Sequence, residues 1–399
     1  MTPVEIRAST SLAAIFGLRL LGMFIILPVF ALYASGLPGW DKTWIGVALG
    51  IYGLTQAALQ IPYGWASDRI GRKPMLYVGL LIFAIGSFVC AASTSVGGIV
   101  LGRVLQGAGA ISAVALAMTA DLTRDSQRTK AMAIIGISIG VVFALSFVIS
   151  PYLASSIGVP GIFALTGVLA LLAIALVAFV VPDAPQPQPH ARPVERVRFA
   201  AILAHPELLR LNVGIFVLHA VLMAMFVVVP FSLIQAGLAG KDHWQLYLGV
   251  FGAAIVVMAP IVKSGRADAH SRKVFQGAVG LLVVALLMLA LLQQTLWGLA
   301  LSLLAFFTAF NILEALLPSL VSRVAPPSAK GAATGVYASV QSLGIFAGGG
   351  LGGVLSQHFG GVTVLWFCVA LAAVWWFVAQ GMGQVGAAHN EPKFQTTKT

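Results

Sequence analysis

Four ionisable side chains, Arg19, Arg103, His219 and Glu314, each lie deep inside a long apolar stretch. A charge placed in hydrocarbon costs at least about 2.5–3.5 kcal/mol, so such residues are kept for a partner or a task. Glu314 is the carboxyl set well inside such a stretch, with Asn311 three positions before it and Pro318 four positions after. Removing a carboxyl from water disfavours its charged form, so Glu314 could take up and release a proton, and His219 could do so with little perturbation. A structural ion pair or a hydrogen-bonded core position is the alternative for each. Arg103 sits in Leu101-Gly-Arg103-Val-Leu-Gln106-Gly107-Ala-Gly109, where Arg103, Gln106 and Gly107 share one helix face by their i, i+3, i+4 spacing. It either has a buried role or snorkels to the nearer end of its helix. Glu314, His219 and Arg103 are thus the candidates for proton coupling.

Elements that could position these groups follow from composition. The chain has 399 residues, 59% hydrophobic and 9% charged, with mean hydropathy +0.97. Soluble domains carry about 25% charged residues, so this chain cannot cover itself with a solvated surface. Apolar runs of the ~20 residues needed to cross a bilayer recur along it, and in lipid such runs must be helices. Twelve are expected, at 10–34, 43–66, 74–93, 98–120, 131–153, 161–181, 210–236, 244–262, 274–293, 296–322, 331–356 and 361–382. The formal charge of +11 is no nucleic-acid signature. With the N-terminus in the cytoplasm, the outward loops hold only Lys42 and Lys241, Arg19 and Arg103 are inside helices, and every other Lys and Arg is cytoplasmic. That bias sets both termini in the cytoplasm. The first apolar run is too long for a signal peptide and carries Arg19, so it is read as a retained helix. Cys90 and Cys368 lie in apolar helices with no metal spacing or disulfide pattern, and are read as packing residues.

The chain divides near its middle. Pro182 to Pro193 is proline-rich and extended, and 194–203 alternates apolar and charged residues. That stretch is either an amphipathic helix on the membrane surface or a plain basic linker. The expected units are residues 1–181, a linker at 182–209, residues 210–382 and a polar tail at 383–399, with no soluble domain after the last helix. The halves repeat at an offset of 200: Asp68, Arg72 and Lys73 recur as Asp268, Arg272 and Lys273, and Lys130 as Lys330. The second loop is degraded, with Ala269-His270-Ser271 where the first has Arg69-Ile70-Gly71.

The first loop, Gly64-Trp-Ala-Ser-Asp68-Arg69-Ile-Gly71-Arg72-Lys73, resembles the cytoplasmic loop between helices 2 and 3 of major facilitator superfamily transporters. The segment around Arg103 resembles that family's helix 4. The resemblance implies an all-α membrane protein of twelve helices in two pseudo-symmetric six-helix halves, with a binding site between them near midplane. It also implies that Asp68 faces the start of helix 11, near Lys330 and Gly331, and that Arg72 pairs with Asp121. Gly64, Asp68, Arg69, Gly71, Arg72, Lys73 and Asp121 would then latch the halves shut on the cytoplasmic side. Arg19-Leu-Leu-Gly-Met-Phe, Ile51-Tyr-Gly-Leu-Thr-Gln, Asn311-Ile-Leu-Glu-Ala-Leu-Leu-Pro-Ser and Gly335-Val-Tyr are similar to a bacterial inner-membrane member of the drug:proton antiporter branch. Arg19, Tyr52, Gln56, Gln106, Asn311, Tyr337 and Gln341 are the candidate cavity residues. Gly136, Gly140 and Ser150-Pro151 resemble a weakened form of the family's antiporter signature, with Ser150 in place of a glycine. Helix 1 has no carboxylate where several drug antiporters place one, so coupling falls to Glu314 or the loop acids.

The expected function is proton-coupled efflux of small amphipathic or hydrophobic compounds by alternating access, in a bacterial inner membrane. Met223, Met225, Phe226, Phe306, Phe307 and Phe310 could line an adaptable apolar cavity or face lipid. The alternative is a symporter or uniporter for an anionic metabolite held by Arg19 and Arg103. The expected partners are a small-molecule substrate, protons and the bilayer, with no nucleic acid, and the protein is expected to be a monomer. Nothing points to an enzyme: no nucleophile–base pair, metal cluster or cofactor motif is present in the membrane segments. Single cysteines at Gly158, Lys241 and Gly360, in a background lacking Cys90 and Cys368, are expected to react with an impermeant thiol reagent from outside. Cysteines in the 182–206 linker are expected not to, and outside labelling there overturns the orientation.

Overall fold

The computed structural model describes residues 1–183, 204–263, 271–325 and 330–383. Ten helices among them are long and apolar enough to cross a bilayer. One of these, Ser126–Phe179, has 54 residues, roughly 80 Å of helix against a hydrocarbon core of about 30 Å. It breaks at Gly158, whose φ of +69° suits a residue without Cβ, two positions before Pro160. It is therefore two crossings. His243–Lys263 is a further apolar helix of 21 residues, which makes twelve crossings.

In chain order these are α1 (Pro3–Ala34), α2 (Lys42–Ile70), α3 (Arg72–Ala92), α4 (Val96–Asp121), α5 and α6 (the two parts of Asp125–Phe179), α7 (Pro206–Gln235), α8 (His243–Lys263), α9 (Ser271–Leu292), α10 (Leu296–Val324), α11 (Lys330–Phe359) and α12 (Gly361–Gln380). The expected helices are all present, most of them a few residues longer. Two are interrupted. α1 breaks at Ile25–Ile26, just before Pro28, whose ring nitrogen cannot donate. α4 breaks over Gly109–Ile111. The amphipathic stretch at 194–203, the second-loop residues Asp268 to His270 and the tail beyond 383 lie outside the described residues.

Six helices make each half, and the repeat shows in how the last helix of each is capped. In the first, Arg7 donates to the carbonyls of Val180 (2.8 Å) and Phe179 (3.1 Å). In the second, Arg272 and Gln276 donate to the carbonyls of Gln380 and Ala379, both at 3.1 Å. Those carbonyl positions differ by the same 200 residues as the sequence repeat. The end of the molecule that carries these caps and the loop at 64–73 is the basic end; Lys42, Gly158, Lys241 and Gly360 lie at the far end. Trp40, Trp44, Trp297 and Phe359 are exposed at the far end, and Trp65, Phe179 and Phe377 at the basic end, as expected of side chains at the two membrane–water boundaries.

The halves meet closely at the far end. There α2 and α11 touch backbone to backbone: a Cβ on Gly46, Gly50 or Gly349 would collide with main-chain atoms of the opposite helix. Small residues permit that approach. Beside it, Phe143 and Phe147 of α5 pack among Phe226, Tyr247, Phe251, Phe307 and Phe310 of the second half, with Phe143 and Phe310 stacked at 5.0 Å. The basic end differs. A Cβ on Gly136, Gly140, Gly331 or Gly335 would meet nothing within 4 Å, and one on Gly64 meets only Ala113 of its own half. Among the described residues, the halves are in close contact at the far end, and these glycines make no such contact at the basic end.

This asymmetry predicts that Gly349→Val, which drives a side chain into the α2 backbone, costs about 1–3 kcal/mol and lowers the melting temperature in thermal unfolding. Gly335→Val, with open space around it, is expected to melt within a degree or two of the parent. Equal melting of both variants would contradict the close α2–α11 contact.

Candidate functional site

Two polar clusters face each other across the middle of the molecule. In the first half, α2 carries Tyr52, Gln56 and Gln60 at intervals of four, so they fall on one helix face, and all are buried. Arg19 of α1 reaches this face. Its Nη1 donates to Ser112 Oγ (2.8 Å), just past the break in α4, and its Nη2 donates to Gln56 Oε1 (3.0 Å). Its Nε has no partner, and neither do the Tyr52 hydroxyl and Gln60 Oε1.

Arg103, from α4, also lies against the Tyr52 ring. Its Cζ is 4.9 Å from that ring's centre, and the Cζ of Arg19 is 5.7 Å from it. Arg103 is 1% exposed, so it does not snorkel. Nε and Nη2 donate to the carbonyls of Ala48 (3.2 Å) and Leu49 (3.3 Å) on α2, and Nη1 to Gln106 Oε1 (3.0 Å). Gln106 in turn donates to Ser87 Oγ of α3 (2.8 Å). Arg103 therefore ties α4 to α2 and, through Gln106, to α3. Among the described residues no carboxylate forms an ion pair with either guanidinium.

In the second half His219 of α7, Glu314 of α10 and Gln341 of α11 come together. His219 Nδ1 lies 3.3 Å from the Ile215 carbonyl. With the proton on that nitrogen, Nε2 accepts from the Gln341 amide at 2.8 Å. The same amide donates to Glu314 Oε1 at 3.4 Å, and Glu314 Oε2 stands 3.9 Å from His219 Nε2. The Glu314 side chain is 27% exposed and His219 only 1%, so the carboxyl is partly exposed while the imidazole is enclosed. Glu314 Oε2, the Tyr337 hydroxyl and Ser339 Oγ are buried without partners. Asn311 is half-buried nearby in sequence, one turn before Glu314. Arg19 is not the partner of Glu314; His219 and Gln341 are.

Among the described residues a single hydrogen bond ties the clusters to each other: Gln56 Nε2 donates to Ser342 Oγ of α11 at 3.2 Å. The neighbours Gln341 and Ser342 thus serve one cluster each. Sequence reasoning named Gln56 and Gln341 but missed Ser112 and Ser342, since a serine in a small-residue helix carries no signal of its partner. It also placed Met223, Met225, Phe226, Phe306, Phe307 and Phe310 as cavity wall or lipid face. All six are buried, at 2% exposure or less; the phenylalanines belong to the far-end aromatic seal.

At the basic end Arg72 donates to Asp121 Oδ2 (2.8 Å) and to Ser67 Oγ (2.6 Å), and forms an ion pair with Asp68. Lys73 reaches Asp183 at 2.7 Å, and Arg69 stacks on the Trp65 ring at 3.8 Å. Gly71, at φ +107°, separates α2 from α3. Arg72–Asp121 is the expected pair, but Asp68 pairs with Arg72 of its own loop, not with α11. A second clamp was not foreseen: Glu5 accepts from the Arg124 backbone N–H (3.1 Å), Nε (2.8 Å) and Nη2 (3.1 Å), and holds Thr2 in the cap of α1.

A sequence model of the Major Facilitator Superfamily matches residues 12–349. The chain belongs to that family, and is a multi-pass membrane transporter rather than an enzyme. It is 45% identical to the inner membrane transport protein YajR of Escherichia coli strain K12, over 96% of this chain and 84% of that protein. A shorter stretch, 34% of this chain and 35% of the relative, is 34% identical to the class B tetracycline resistance protein of Escherichia coli. Among solved structures, a bacterial homologue of the human lysosomal transporter Spinster superposes with a TM-score of 0.76 at 15% identity, over 95% of this chain and 97% of that one.

Proposed function

We propose that this transporter couples proton movement to the efflux of small amphipathic or hydrophobic compounds by alternating access, in the manner of the drug:proton antiporter branch. Glu314 carries the proposal. It is a carboxyl deep within a membrane-crossing helix, partly exposed, hydrogen-bonded by Gln341 and close to His219. His219 stands close enough to share its proton after a small side-chain movement. Arg103, once a candidate for coupling, is bonded at all three nitrogen positions and acts instead as a tie between helices. Resistance-named relatives support the substrate class, and the aromatic floor offers an apolar body somewhere to rest.

The two units at 1–181 and 210–382 rock about the central site, working as a monomer in the bacterial inner membrane. The basic end is the cytoplasmic one, in keeping with its lysines and arginines, so the present arrangement is open to the cytoplasm. In the opposite state α11 closes on α2 at that end, Asp68 turns from Arg72 toward Lys330 and Gly331, and the loop latch forms. Asp68→Asn is expected to depopulate that state. A loss of about 1.4 kcal/mol changes a two-state ratio tenfold. Spin-label distances between the basic ends of α2 and α11 then shift toward the longer population, and unchanged distributions would remove Asp68 from the latch.

Glu314→Gln keeps the shape and hydrogen bonding of the side chain but holds no exchangeable charge. In proteoliposomes it is expected to bind substrate normally, lose uphill transport driven by a pH gradient, and keep substrate-for-substrate exchange. Full gradient-driven transport by this variant would rule out Glu314 as the coupling group.

A further inference from the structure

The two buried guanidinium groups beside Tyr52 are not equivalent. Arg103 is satisfied at Nε, Nη1 and Nη2 by two carbonyls and an amide oxygen. Arg19, 2% exposed, has only a hydroxyl and an amide oxygen at its Nη atoms, and its Nε has no partner at all. A buried cation without an anion is strongly disfavoured. The Nε–Nη2 edge of a guanidinium matches the two oxygens of a carboxylate, or two of a sulfonate or phosphate. Nothing in the first half uses that edge except Gln56, through Nη2 alone.

We infer that the transported molecule carries an anionic group, and that this group docks on the Nε–Nη2 edge of Arg19. The inference rests on the chain being a small-molecule transporter with its site between the halves, and it narrows the amphipathic class proposed above to organic anions with an apolar body. That body lies toward the aromatic floor, where Phe143 and Phe310 stack. Docking has a mechanical consequence. An oxyanion at Nη2 displaces Gln56 Oε1, and Gln56 is the side chain whose amide bridges to Ser342 of the other half. Filling the site therefore loosens a tether between the halves, so occupancy and movement are linked through one glutamine. Arg103 takes no part in binding and holds α2 in place.

The test uses the full-length protein in nanodiscs and two probes of nearly equal shape, salicylate and salicylamide, at one pH with no gradient. Binding is read by titration calorimetry. Wild type is expected to prefer the anion by about tenfold or more, the usual scale of a charge-assisted hydrogen-bonded contact. Arg19→Gln is expected to abolish the preference while keeping weak binding of the amide. Arg19→Lys keeps the charge without the fork, and is expected to retain part of the preference. It also covers the case in which the Gln variant fails to fold. Arg103→Lys is expected to lower thermal stability and leave the anion-to-amide ratio unchanged.

Wild type that binds neither probe, or binds them equally, overturns the inference whatever the variants do. A preference that survives Arg19→Gln, or that follows Arg103 instead, also overturns it. Proton coupling plays no part in this readout, so a failure here leaves the role of Glu314 standing, and a failure of Glu314→Gln to uncouple transport leaves this result intact.

Discussion

A polar group inside a bilayer has no water to fall back on, and most of this molecule is arranged around that fact. Backbone groups meet it by forming helices. Side chains meet it unevenly. Arg103 is supplied with carbonyls from the neighbouring helix and an amide from its own, and becomes part of the scaffold. Arg19 and Glu314 are supplied only in part, each with a buried atom left unpartnered. The distinction separates a charge whose nitrogens are all bonded from groups that keep an unpartnered buried atom. Partly satisfied polar groups are costly, and in a transporter that cost is a reason to look for what completes them.

The uneven contact between the halves follows from residue size. On α2 and α11, glycines at the far end let the backbones meet, while phenylalanines fill the adjoining space between α5 and the second half. Toward the basic end the glycines of α5 and α11 have nothing packed against them among the described residues, so the close contact is confined to the far side. A helix with small residues along its length can pack closely at either end, and the bond from Gln56 to Ser342 joins α2 to α11 between those ends. Charges at the basic end reinforce the first half internally: Arg72 with Asp121, Lys73 with Asp183, and Arg124 with Glu5. The first and last of these pairs join the ends of different helices within that half.

The class of protein was legible without coordinates, because charge is so sparse that every run of apolar residues and every cluster of charge carries meaning. Twelve crossings, the loop at 64–73, the repeat at 200 residues and the Arg72–Asp121 pair all follow from spacing and composition or from the family resemblance, and the structure contains them. Hydrophobic length is a local property and survives any rearrangement of the helices. The deep residues Arg19, Arg103, His219 and Glu314 were visible for the same reason.

Their partners were not. Arg19 and Arg103 look alike along the chain, yet one is fully bonded and the other is not, because that depends on which carbonyls a neighbouring helix presents. Ser112 and Ser342 take their meaning from Arg19 and Gln56, which are 93 and 286 positions away, and no local pattern marks them. Phe307 and Phe310 read equally well as lining a cavity or facing lipid, since helical periodicity gives a face but not what lies against it. The sequence by itself determined a twelve-helix membrane transporter with charges in its middle. Only the tertiary structure decided which of those charges are spoken for, because satisfaction of a buried polar group is a property of helices brought together and not of any one of them.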